Sequence, residues 1–304
     1  MPAEKRAIIY VPGMKPKPPA EIHRERLWQS LVEGLRRARP EAAGDIAAQP
    51  ECFTLAAWGS LFYDETSDPG IDVPGFERLL SLPGPEARDL EEARHWHKQL
   101  TRTMYLVADR LPFLIDLIAP EQLKSSMHDS LRYLGDEDGV GERVRHYVAG
   151  VLEQAQAEGR RILLLAHSLG SVIAWDVLWQ LSRADSRVRV DELVTLGSPL
   201  GLNFMRHRLL SAHATRAERY PRNIGRWVNL SAVGELTALD RTFANDYRGM
   251  LREGLVESIT DYTDLMNYFR GPDGLLNVHK CYGYMINPRT AQVVADWWQG
   301  QPSR

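Results

Sequence analysis

The chain has 304 residues, 44% hydrophobic and 25% charged, with a formal net charge of -3. That length suits one large domain or two small ones, with apolar residues enough for a sizeable core. The balanced charge argues against a nucleic-acid surface, which needs a basic field, and two cysteines (Cys52 and Cys281) are too few for a disulfide framework.

No apolar run approaches the ~18 residues of a membrane span, and the N-terminus lacks the apolar stretch of a signal peptide. A cytoplasmic protein without an integral membrane segment is expected. In chain order, "AIIYV" (7–11) reads as a first strand, stopped by Pro12-Gly13. Residues 25–38 place Leu27, Trp28, Leu31, Val32 and Leu35 at helical spacing. "CFTLAAW" (52–58) reads as a second strand. Residues 74–138 are helical in pattern and carry no convincing strand, so they are expected to be an insertion between sheet strands and a possible cap. The other reading is a set of ordinary helices packed on the sheet.

A helix over 141–159 presents Val144, Tyr147, Val148, Val151 and Leu152 on one face and ends at Gly159. A strand over 161–168 runs into a helix over 170–182. Strands over 191–200 and 226–233 follow, and a last helix spans 290–298. Strands apolar on both faces, alternating with helices, predict an α/β fold with a mostly parallel sheet and right-handed crossovers. The whole chain, 1–304, is read as a single domain with 74–138 inserted.

In such a sheet the chemistry gathers at the C-terminal strand ends. Ser168 lies at one, in "LLLAHSLGSVIAWD", where the tight strand-to-helix turn demands small neighbours such as Ala166 and Gly170. The turn exposes the hydroxyl, and the helix N-terminus favours negative charge beside it. His167 is expected to point its side chain away from the serine, in a packing or shell role.

At these residues the chain resembles the α/β-hydrolase superfamily, in particular lipase- and esterase-like serine hydrolases. "LLLAHSLGSVIAWD" resembles their nucleophile elbow, with Ala where the first Gly is usual. "IIYVPGMKPKP" resembles the first core strand and oxyanion loop, "LVTLGSPLG" the strand after the nucleophile helix, "WVNLSAVGELTALD" the strand bearing the acid, and "VHKCYGYM" the late loop bearing the histidine. The resemblance implies the chain order Ser, acid, His. Of nine histidines only His207, His213 and His279 follow Ser168, and the first two precede the acid-bearing strand, so His279 is the expected base. The acid is Glu235, two residues past the strand, or Asp240. The amides of Leu169 and Met14 are the expected oxyanion donors.

This implies a serine hydrolase that cleaves a small-molecule carboxylic ester through an acyl-enzyme, with no cofactor and no metal. An acyltransferase or thioesterase would use the same site, and a non-catalytic scaffold would not need all three side chains. Glu91, Glu92 and His95 fall within about one helical turn, but without a fourth ligand they read as a solvated helix face. "GDEDG" (135–139) reads as an acidic loop.

Overall fold

The computed structural model describes residues 5–94, 121–235 and 242–301. Six strands form one sheet in the order β2-β1-β3-β4-β5-β6, every pairing parallel. They are β1 (Arg6–Val11), β2 (Phe53–Leu55), β3 (Arg161–His167), β4 (Val190–Leu196), β5 (Ile224–Ala232) and β6 (Ser258–Leu265). The helices of eight residues or more are α1 (Ala20–Ala38), α2 (Pro40–Ala47), α3 (Val73–Ser81), α4 (Ala87–Arg94), α5 (Glu121–Leu134), α6 (Val140–Ala157), α7 (Leu169–Arg183) and α8 (Pro288–Trp298). A single parallel sheet flanked by helices is the α/β-hydrolase type of architecture. The chain leaves β1 toward β2 and returns to β3 on the other side, so a crevice opens between the C-terminal ends of β1 and β3.

Alternation along the strands builds two cores. Ile8, Tyr10, Leu163 and Leu165 face the layer of α1 and α8. Ala7, Ile9, Val11, Ile162, Leu164 and Ala166 face the layer of α6 and α7. Parallel strands need helices on both sides because neither face can meet water, and these apolar runs supply both faces.

Several expectations need correcting. The second strand is three residues long instead of seven, because turns of 3-10 helix beginning at Pro50 and Trp58 close on it from both sides. As a sheet edge it gains from being short. The strand begun at 191 ends at Leu196, where Gly197 takes φ 54° and turns the chain. The edge strand β6 has only Ile259 and Leu265 buried, so its sequence, SITDYTDL, offers little apolar signal. On α6, Tyr147 points outward and Arg145 is buried in its stead.

The described ends of the 74–138 stretch are helical. Phe76, Leu79 and Ala93 pack into the core on the α1 side, and Tyr133 into the core on the α7 side. The described flanks of the stretch thus each join one of the two hydrophobic clusters. The middle of the stretch, residues 95–120 with His95 among them, lies outside the described residues. No helix among the described residues is long and apolar enough to cross a membrane.

Candidate active site

Ser168 joins β3 to α7 with φ 54° and ψ -128°, a left-handed conformation that is strained for a residue with a side chain. The surroundings hold it there. Its N–H donates to the carbonyl of Leu196 at 2.9 Å, and its own carbonyl accepts from the Ser171 hydroxyl at 2.6 Å. Space is tight on both sides. A Cβ on Gly170 would lie 2.4 Å from the Val11 oxygen, and one on Gly13 would lie 2.7 Å from the Ser168 Cβ. Glycine at these positions lets α7 and the 12–15 loop close on the serine.

His279 lies between Ser168 and Glu235. Its Nε2 is 2.9 Å from Ser168 Oγ, and its Nδ1 is 2.8 Å from Glu235 Oε2. A carboxylate only accepts, so Nδ1 carries the hydrogen and donates it. Nε2 is then the bare acceptor that faces the serine hydroxyl. Glu235 is buried at the turn after β5, and Tyr284 donates its hydroxyl to the same Oε2 at 3.1 Å. The N–H of Ala232 in turn donates to the Tyr284 oxygen at 3.0 Å. Gly197 makes room for this pair, since a Cβ there would be 3.2 Å from both Glu235 Oε2 and His279 Nδ1.

Asp240 lies outside the described residues. His207 and His213 are exposed, and His207 Nδ1 approaches the Asn203 carbonyl at 2.7 Å. Glu92 is occupied structurally, accepting from the Leu276 N–H at 3.0 Å and pairing with Arg270 at 2.9 Å.

His167 does not point away from the site. Its ring lies against that of His279, with centroids 4.7 Å apart, and its Nε2 donates to the His279 carbonyl at 2.9 Å. Burial, with His279 nearby, holds its pKa well below the ordinary value, so it is a neutral prop for the histidine loop. Strand alternation carries this information. His167 shares parity with Leu163 and Leu165, whose face also holds Tyr284.

Leu169 is the first residue of α7, where an N–H has no partner within the helix. Met14 and Ser168 line the same cleft. Two aromatic residues that the sequence did not single out hold the loop carrying Met14. Trp58 Nε1 donates to the Pro12 carbonyl at 2.8 Å, and Tyr63 Oη accepts from the Lys15 N–H at 2.7 Å. Tyr63 passes its own hydrogen to Asp129 Oδ2 at 3.0 Å. Lys15 has φ 76°, so these bonds fix a backbone turn that the residue would not choose alone. Neither aromatic lies in a motif, and only their contacts reveal this role.

The sheet order and the serine at its strand–helix turn are those of the α/β-hydrolase type of architecture. A family model described as "Putative serine esterase (DUF676)" matches residues 121–225, about a third of the chain. The matched span includes Ser168 and stops before Glu235 and His279. No curated protein and no solved structure matches the chain.

Proposed function

We propose that the protein hydrolyses carboxylic esters through an acyl-enzyme on Ser168. The observation that carries this reading is the imidazole of His279, set 2.9 Å from the serine oxygen and 2.8 Å from a buried carboxylate. A serine hydroxyl is a weak nucleophile until a base takes its proton. His279 Nε2 takes that proton as Oγ attacks the ester carbonyl. Glu235 keeps the imidazole in the right tautomer and balances the imidazolium charge. The amides of Leu169 and Met14 bind the oxyanion, aided by the positive end of α7. As the tetrahedral intermediate collapses, the imidazolium returns its proton to the departing alcohol. A water molecule, deprotonated by the same nitrogen, then attacks the acyl-enzyme and frees the acid and Oγ.

The test uses 4-nitrophenyl esters of graded chain length together with a fluorophosphonate probe. The wild type should turn over at least one ester and be labelled at Ser168. Ser168→Ala should lose both, with rates reduced by roughly 10³-fold or more and an unchanged melting temperature. Unlabelled wild-type protein, or wild-type rates in pure Ser168→Ala, would refute the reading.

A further inference from the structure

The cleft beside Ser168 is small, about 270 Å³, and its walls carry charge. Lys15, Lys17 and Lys280 line it, with Asp68 and Asp72. Two of the three cations are committed. Lys15 Nζ lies 3.5 Å from Asp129, and Lys280 Nζ lies 2.5 Å from Asp72. Asp68 is exposed at the rim and accepts from the Gly70 N–H at 2.8 Å, closing its own turn. The ammonium of Lys17 donates to the carbonyl of Met14 and forms no ion pair among the described residues. An ammonium has three N–H donors, so one hydrogen bond to a neutral carbonyl leaves capacity for an anion.

The place of this ammonium matters. It is tied to the carbonyl of Met14, the residue whose amide is proposed to bind the oxyanion, and Lys17 lines the same cleft as Ser168. We infer that the ester taken by this site carries an anionic oxygen group, a carboxylate or a phosphate, and that Lys17 binds it. This inference rests on the ester-hydrolase reading of Ser168. The two buried imidazoles of the cleft, His23 and His167, do not supply the charge, because burial holds both neutral. Burial also pushes Lys17 down to about 8, the mark of a cation short of compensation that a bound anion would relieve. The groups that act on it are Lys15 and Lys280, which oppose its charge, and Asp72 and Cys281, which favour it. The competing account is that Lys17 only ties down the loop.

The test compares the 4-nitrophenyl half-esters of succinic, glutaric and adipic acids with the same compounds methyl-capped at the far carboxyl. A 4-nitrophenyl 3-phosphonopropionate arm distinguishes phosphate from carboxylate recognition. Nitrophenolate release is read after subtracting the enzyme-free rate, and the quantity of interest is the charged-to-neutral ratio of kcat/KM. In the wild type this ratio should reach about tenfold or more at the best chain length, the usual weight of a hydrogen bond to a charged group. It should collapse toward one in Lys17→Met and survive in Lys17→Arg.

The ratio also cancels ionisations that both esters share, so on wild-type protein it should fall as pH rises through about 8 and Lys17 loses its proton. A wild-type ratio near or below one for every chain length and for the phosphonate would overturn the inference while leaving the hydrolase reading intact. So would an unchanged ratio in folded Lys17→Met. Absence of turnover on every ester, charged or neutral, would overturn the hydrolase reading itself.

Discussion

Replacing Glu235 by Gln should separate the two services that a carboxylate gives a catalytic histidine, tautomer control and charge. The Tyr284 oxygen accepts from the Ala232 N–H, so its own hydrogen must find an acceptor at the Oε2 position. The His279 Nδ1 hydrogen points to the same spot. A Gln at 235 therefore turns its carbonyl oxygen toward both donors and its NH₂ away. The tautomer survives and only the negative charge is lost. For charges about 4 Å apart, an effective dielectric of about 20 gives roughly 4 kcal/mol less stabilisation of the imidazolium, or about 10³-fold in kcat/KM. Inverting the tautomer would cost nearer 10⁴-fold. Steady-state kinetics on a 4-nitrophenyl ester, with a melting curve as the fold control, checks this. The Glu235→Gln loss should exceed that of Asp240→Asn. A loss below tenfold in Glu235→Gln, with a large one in Asp240→Asn, would refute the assignment and make Asp240 the acid.

Tyr63→Phe removes the acceptor of the Lys15 N–H and should lower kcat by about tenfold with little change in KM, because it loosens a donor used mainly in the transition state; a loss confined to KM would contradict this. Gly170→Ala places a methyl group 2.4 Å from the Val11 oxygen and should cost about 2 kcal/mol or more in urea unfolding; unchanged stability would mean that α7 can shift freely. Asp176 is buried on α7, accepts from Tyr133 and from the Leu210 N–H, and is pushed up by burial from 3.8 to about 7. An acid raised in the folded state contributes stability that is complete below its unfolded value and is lost as pH rises through its folded value. The wild type should therefore lose about 4 kcal/mol from this group between pH 4 and 8. Asp176→Asn should gain on the wild type over that range in urea midpoint, and parallel pH–stability curves for the two would refute it.

The amino-acid sequence by itself determined the parallel α/β class and the serine at the end of β3. Apolar runs of strand length between amphipathic helices fix the class, and the strand–turn–helix around Ser168 is a local feature spanning a dozen residues. The relation of His279 to Ser168 could be reached only through chain order, because 111 positions separate the two side chains that meet at 2.9 Å. Tertiary structure alone decided the rest. The short β2 and the polar β6 sit at the sheet's two edges, where one flank has no pairing strand among the described residues and burial leaves little apolar signature. The placement of His167 against His279, the hold of Tyr63 and Trp58 on the Met14 loop, and the shared acceptor of Tyr284 and His279 are all contacts between segments far apart in the chain. Such contacts have no period and no spacing in the sequence. They exist only because the sheet order brings the ends of β1, β3 and β5 to one side, where side chains from distant loops compete for the same few buried acceptors.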